Sequence, residues 1–381
     1  MKQKTDHILI GGFVAILFAM SLTFLLMPIV KFSELENRYL QSIPHLTWNS
    51  LLSKKFSDDA ESFVTDHFPF RSHWVSIKSV TEQYRLQQEN NGIYKGKDGY
   101  LFEKFAEPDY VKIRQYADAI KGLAAGNPDV NLTFMLAPTS IGMYPERLPW
   151  KAPVYQESKV HSFLSDYIQS DDLLFMDGFD FLSPHASEQI YYRTDHHWTT
   201  QGAYYAYVAY AEKMGWQPMS EKEFHIDTVS DSFLGSYHTR SQFAGLKPDE
   251  IQAYVPNRPV HTEAYIADTD VTLTSLYDDS FLQKKDQYSY FLGGVHALMT
   301  LKNNIDPQAV DMDKLLLIKD SYAHSFIPFL TQHVSEIHVI DIRYYNGSIS
   351  DYLADNEIKN VLLLFNTATF ADNGEIMKID N

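Results

Sequence analysis

Ile8 to Val30 is a run of 23 residues without one charged side chain. At about 1.5 Å per helical residue it reaches across a hydrocarbon core with room for tilt. Lys2 and Lys4 precede it, partly offset by Asp6, and Lys31 follows, a small asymmetry that favours the N-terminus inside. No small-x-small pattern follows the run, and Leu25-Leu26-Met27-Pro28 does not suit a signal peptidase. The segment reads as an uncleaved single-pass signal anchor, with a cleaved signal peptide as the alternative. A buried core helix fits less well, because the run is terminal, long and apolar all round. The expected location is the cell membrane, with the main domain extracytoplasmic.

Behind the run stand about 350 residues, enough for one large domain with insertions or two small ones. Hydrophobic residues at 45% and charged residues at 21% fit a packed core rather than disorder. The net charge of −17 argues against nucleic acid, whose phosphates call for clustered Lys and Arg. An anionic polymer would need a local basic patch. The chain has no cysteine, so disulfides, thiolate nucleophiles, Cys-ligated metals and a thiol-linked lipid anchor are excluded. The 25 Tyr and 24 Phe fill cores and interfaces as readily as they line carbohydrate sites.

There are no internal repeats and no low-complexity tract. Phe32 to Leu86 places Phe56, Ala60, Phe63, Val64 and Phe68 at helical spacing, and Pro69 should break it into two helices around a bend. Lys97-Asp98-Gly99 between apolar pieces is a tight-turn signal. Helices are expected over 109–125, 158–169, 200–214, 323–333 and 348–356, with Thr199 or Thr200 as a cap for the third. Strands are expected over 131–137, 173–176, 315–318, 337–342 and 361–365. Residues 224–290, rich in Thr, Ser, Asp and Tyr, read as a β-rich insertion. Alternating strands and helices imply an α/β fold with a mainly parallel sheet between helices, whose sites lie beyond the carboxyl ends of the strands. The expected layout is a cytoplasmic stub and anchor over 1–31, a helical juxtamembrane segment over 32–90 and the α/β domain over 91–381.

Two motifs carry chemistry. Lys319-Asp320-Ser321-Tyr322-Ala323-His324 follows the Leu315–Ile318 strand at once and opens a helix. A serine there projects its hydroxyl at the sheet edge, and the N–H groups that follow would form half an oxyanion hole. The plainer role for Ser321 is a helix cap. The second motif is Arg193-Thr194-Asp195-His196-His197-Trp198-Thr199. In an extended segment Asp195 and His197 face the same way, while His196 points away into a structural role. His197 would then take the Ser321 proton and Asp195 would orient the imidazole. Trp198 packs beside the ring or belongs to the core. The same residues form a weaker candidate metal site, lacking the His-Glu-x-x-His spacing and needing a further ligand such as His185, His238 or His296. The preferred reading has no metal and no cofactor.

Asp195-His196-His197-Trp198 spells the motif of the bacterial DHHW proteins. This family is similar to the alginate O-acetylation proteins AlgJ and AlgX, in the SGNH hydrolase-like superfamily. Other stretches carry the same resemblance: 90–101, 143–149, Phe291-Leu292-Gly293-Gly294, Lys319 to Ala323 and Asp341-Ile342-Arg343-Tyr344-Tyr345. The resemblance implies a flavodoxin-like SGNH fold, circularly permuted so that the triad runs Asp, His, Ser. It implies Ser321 as nucleophile, His197 as base and Asp195 as orienting carboxylate. It also implies an oxyanion N–H from Gly293 or Gly294, and substrate or oxyanion contacts from Tyr322, Arg343 and Tyr344. Arg343 has the alternative of pairing with an acidic neighbour. Val295 stands where relatives are expected to carry an Asn oxyanion donor.

The implied function is an extracytoplasmic O-acetyltransferase acting on a cell-envelope or exported polysaccharide, with a membrane-bound O-acyltransferase as upstream donor. A carbohydrate esterase using the same triad, and a non-catalytic glycan-binding scaffold, are the alternatives.

Overall fold

The computed structural model describes residues 2–33, 38–85, 87–170 and 172–380. The chain divides into two compact units: Met1–Gln87 with Gln242–Gly245, and Gln88–Ser241 with Leu246–Asn381.

In the first unit, α1 (Lys2–Leu26) is followed by α2 (Trp48–Leu52), α3 (Lys55–Asp66) and α4 (Arg71–Tyr84). Within α1, Asp6–Leu26 is long and apolar enough to cross a membrane, and none of its most apolar stretch is buried. Among the described residues, the segment read as two helices holds three. Thr47 caps α2 in a capping box with Ser50, a start that hydrophobic periodicity alone does not register. The break between α3 and α4 falls at Phe68–Phe70, where Pro69 and the left-handed Phe70 (φ 58°) stop helical propagation. Leu86, the end of the stretch read at helical spacing, lies outside the described residues.

The second unit is built on an eight-stranded sheet. Its strands are β1 (Asn131–Ala137), β2 (Leu173–Asp177), β3 (Thr262–Ile266), β4 (Val271–Leu273), β5 (Leu298–Asn303), β6 (Met312–Lys319), β7 (Val334–Ile340) and β8 (Asn360–Asn366). The spatial order is β4-β3-β5-β7-β6-β8-β1-β2. The five strands from β7 to β2 run parallel, in registers such as Leu317 with Val339 and Leu363 with Phe134. The other three add antiparallel at one edge. Apolar runs such as Leu315-Leu316-Leu317-Ile318 are fully buried, as parallel strands covered on both faces must be. The longer helices of this unit are α5 (Tyr110–Gly126), α6 (Glu157–Tyr167), α7 (Thr200–Lys213), α8 (Ala323–Leu330) and α9 (Ile349–Asp355). Thr199, not Thr200, caps α7 by accepting from Gly202 N.

The chain runs from β6 to β7 on one side and returns to β8 on the other. The carboxyl end of β6 is therefore a switch point, where open α/β sheets leave a crevice. Residues 224–290 do not form one separate β region. Phe224–Phe233 and Asp249–Pro256 pair as an antiparallel ribbon, whereas β3 and β4 extend the main sheet. The ribbon has its own small core of Tyr192, Phe233, Ile251, Ala253, Tyr288, Tyr290 and Phe291. The Asp98-Gly99 turn takes positive φ at both residues (57° and 80°), as a tight hairpin turn requires. The strand expected over 337–342 ends at Ile340. Asp341 instead starts a turn in which its carbonyl accepts from Tyr344 N and Tyr345 N.

Candidate active site

Ser321 sits two residues beyond β6, in the turn that opens α8. Asp320 shapes this turn. One carboxylate oxygen accepts from Tyr322 N (2.8 Å), and the other accepts from the backbone and side-chain nitrogens of Asn366 at the end of β8 (both 2.7 Å). Tyr322 N, Ala323 N and His324 N are all spent on Asp320 or Ser321 acceptors. The expectation that the N–H groups after the serine would receive an oxyanion is thus corrected: a tight turn closes on itself and uses them.

The loop carrying Asp195 and His197 is held shut at its base. Tyr191 and Trp198 form an isolated antiparallel bridge, with Tyr192 N donating to His197 O and Thr199 N to Ile190 O. Between them the chain bends rather than extends, so the alternation argument for Asp195 and His197 is corrected. They meet because Asp195 Oδ1 accepts from His197 N (3.0 Å) across the bend, an Asx-type turn. The same oxygen lies 2.5 Å from His197 Nδ1, and His197 Nε2 lies 2.7 Å from Ser321 Oγ. The structure therefore joins Asp195, His197 and Ser321 in one hydrogen-bonded chain.

His196 does not point away, as an extended strand would have required. Its ring centroid is 3.7 Å from that of His197, its Nδ1 is 3.6 Å from the Asp195 carboxylate, and it pairs with Ser236 Oγ at 2.6 Å. On the other face of His197, Tyr288 stacks with centroids 3.6 Å apart and planes 12° apart. The Tyr288 hydroxyl reaches Ser321 O (3.2 Å) and Ser325 Oγ (3.1 Å). The imidazole is thus fixed by hydrogen bonds in its plane and by rings on both faces. Trp198 is fully buried and donates Nε1–H to Tyr322 O (2.9 Å), tying the histidine loop to the serine turn.

The electrostatics follow from this crowding. Burial works to raise the Asp195 carboxyl, but the charges and hydrogen bonds of His196 and His197 outweigh it and hold the group well below the ordinary carboxylate range. Burial, reinforced by the charge of His196, pushes His197 down to about 4 against the pull of Asp195. His197 is therefore a neutral imidazole at neutral pH, the form that accepts a proton.

Several supports have no local sequence signature. Ser236 N donates to Asp195 Oδ2 at 2.7 Å. A side chain at Gly235 would collide with the Asp195 carboxylate, so only glycine fits there. Asp249, fully buried on the ribbon, accepts from Arg193 N, Arg193 Nε, Thr194 N and Thr194 Oγ1, with distances of 2.7–3.0 Å. It anchors the loop just ahead of Asp195. Beside the serine turn, Lys319 Nζ meets His324 Nε2 (2.8 Å) and Asp341 Oδ2 (3.0 Å).

The remaining expected residues divide. Arg343 takes its alternative role, forming a two-point pair with Asp341 (2.8 and 2.6 Å). Tyr344 is exposed at 58%. Tyr322 is corrected: it is fully buried and its hydroxyl donates to His196 O at 2.5 Å, so it braces the loop and presents no face to a substrate. Gly293 and Gly294 both have positive φ (69° and 98°), and Gly294 N donates to Phe291 O at 3.3 Å.

Among the described residues, Asp195, His196 and His197 bring ligand-type atoms within 4.8 Å of one another, and His185, His238 and His296 are not part of that group. Both Asp195 oxygens and both His197 nitrogens already have partners within the chain. A cation would have to break the chain of hydrogen bonds, so the donor set fits proton transfer better than coordination.

A second trio lies on the same edge of the sheet. His161 Nδ1 is 2.6 Å from Asp177 Oδ1, and His161 Nε2 is 2.7 Å from Thr367 Oγ1. Thr367 is fully buried and its hydroxyl also lies 3.1 Å from Ala137 O. No substrate carbonyl reaches it.

Residues 170–340 match the model of the DHHW protein family. The match covers less than half of the chain. The four-residue motif lies within it, as does Ser321. The fold is similar to that of a DHHW family protein from Eubacterium siraeum, at 23% identity over 77% of this chain and 96% of that one, with a TM-score of 0.64. It is also similar to Bacillus cereus PatB1, solved with a sulfonyl adduct, at 18% identity over 76% of this chain and 98% of that one, again with a TM-score of 0.64. The O-acetyltransferase domain of Pseudomonas putida AlgJ is a more distant neighbour, at 16% identity over 76% of this chain and 99% of that one, with a TM-score of 0.47. No curated protein matches this chain.

Proposed function

We propose that this protein is an extracytoplasmic O-acetyltransferase that moves an acetyl group onto a cell-envelope or exported polysaccharide. The observation that carries the reading is the continuous chain Asp195 Oδ1–His197 Nδ1 and His197 Nε2–Ser321 Oγ at the switch point of the sheet. A serine hydroxyl is a weak nucleophile until a positioned base takes its proton. In this reading His197 Nε2 accepts that proton as Ser321 Oγ bonds to the acyl carbon. The donor's oxygen leaves with the proton from His197, and an acetyl-serine remains. A sugar hydroxyl then gives its proton to His197 and attacks the acetyl-serine. The new ester departs as Ser321 recovers its hydrogen. Asp195 stays ionised throughout and steadies the transient imidazolium.

Ser321 N and Gly293 N are the oxyanion donors in this proposal, since the N–H groups just after the serine are spent. Tyr344 and the outward edge of Arg343 are its acceptor contacts. The order Asp, His, Ser fits a circularly permuted SGNH hydrolase-like domain. The apolar α1 fits a membrane anchor, with a membrane-bound O-acyltransferase as donor partner.

The test uses purified full-length protein in detergent with an activated acetyl ester, with and without an oligosaccharide acceptor. Acceptor-dependent acetylated product, lost in Ser321→Ala, is the expected result. Release of acetate to water alone, unaffected by acceptor, would establish the esterase instead. Activity that survives Ser321→Ala sinks both.

A further inference from the structure

Helix α4 is built inside out. Its inward face carries Arg71, Val75 and Ser79 at four-residue spacing, and Ser79 is fully buried. Phe70, just ahead of the helix, and Trp74 and Ile77 on it form another stripe and are 56, 50 and 56% exposed. A helix bordering water shows the reverse pattern. In α2, Trp48 and Leu52 are each 81% exposed as well. Exposed apolar side chains gathered in this way mark a surface that meets an apolar medium or a partner.

The end of α1 indicates which. Phe24, near that end, meets Phe63 of α3 edge-on with centroids 6.1 Å apart. His67 Nε2 lies 3.1 Å from the carbonyl of Val30, the last residue of the apolar run. Met27 to Val30 share the walls of one cleft with Phe68 and Phe70. The exposed stripe of α4 therefore begins at the level where the apolar run ends. For a helix that crosses a bilayer, this is the interface, where tryptophan is at home with its ring among lipid tails and its N–H among headgroups.

We infer that α2 and α4 lie in the bilayer surface where α1 emerges, with Trp48, Phe70, Trp74 and Ile77 among the lipid glycerol and upper acyl groups. The inference rests on reading α1 as a membrane span. The occupant is lipid rather than a protein partner, because the stripe starts where the apolar run of α1 ends and Trp74 stands on it, with a second exposed tryptophan, Trp48, on α2. Headgroup charge is not what draws it down. α3 carries Asp58, Asp59, Glu61 and Asp66, so neutral lipid is sufficient.

The absence of cysteine makes the test clean. Full-length chains carrying Ile77→Cys, Asp59→Cys or Ile16→Cys are spin-labelled and placed in phosphatidylcholine nanodiscs. Collision rates with oxygen, which enters lipid, and with a nickel chelate, which stays in water, are then compared. The label at 77 is expected to favour oxygen severalfold and the label at 59 to favour the chelate. A label at 77 open to the chelate, or shielded from both reagents as a protein contact would shield it, overturns the inference. The label at 16 keeps the two readings apart. If it too meets the chelate, α1 does not span, and the parent reading fails as well.

Discussion

At the scale of single residues, the site turns on one imidazole with four neighbours. His197 has Asp195 and Ser321 in its plane and His196 and Tyr288 on its faces. In the proposed reaction, its proton affinity decides the pH range. The base must be neutral, and burial with the charge of His196 pushes it down to about 4. Below that value the imidazole is protonated and has no lone pair for Ser321. Above it the base is free, so kcat/KM for an activated ester should rise through about pH 4 and then stay level to neutrality. Replacing His196 by Asn removes the neighbouring charge, so the rising limb should move up towards the ordinary histidine value of about 6.5. A pH–rate profile of each protein checks both. Ser321→Ala should lower kcat by at least about a thousandfold and abolish labelling by a sulfonyl fluoride, read by intact mass. Gly235→Ala puts a methyl group where the Asp195 carboxylate lies. Overpacking of this kind costs about 1–3 kcal/mol. Both the midpoint of thermal unfolding and kcat should fall.

At the scale of elements, the loop from Tyr191 to Trp198 is what brings distant strands of sequence together. Its anchors are unequal. Asp249 satisfies four donors around Arg193 and Thr194 from inside the fold. Asp249→Ala would orphan them beside a half-buried arginine, a loss of about 3–5 kcal/mol by chemical denaturation, with kcat falling further than KM rises. Trp198→Phe keeps a ring in place but strands Tyr322 O, and about 1–3 kcal/mol should be lost. The sequence made some of this visible. Asp195, His197 and Ser321 are legible because a short motif and a strand-to-helix junction are local signals. β1, over Asn131–Ala137, is legible because a buried parallel strand is a continuous apolar run. Gly235, Ser236, Asp249 and Tyr288 were not, since each approaches the loop from far along the chain and none carries a local pattern. His196 was misjudged for a physical reason: alternation holds for extended backbone, and here the backbone bends. Tyr322 looked like a substrate contact from its place beside the serine, but the turn directs it inward.

At the scale of the molecule, an apolar N-terminal helix stands ahead of a sheet whose switch point holds a hydrogen-bonded Asp–His–Ser chain. If α1 is an uncleaved anchor, the chain should stay in the pellet after alkaline carbonate extraction, and its intact mass should include residues 1–30. Loss of those residues from the mature mass would show a cleaved signal instead. The sheet also carries the acid, imidazole and hydroxyl combination twice. Around Thr367 the hydroxyl is fully buried, while at Ser321 it is only partly buried. The protein thus contains its own control for reagent specificity. A hydroxyl-directed electrophile should attach once per molecule, and any second adduct would report that the folded interior had opened.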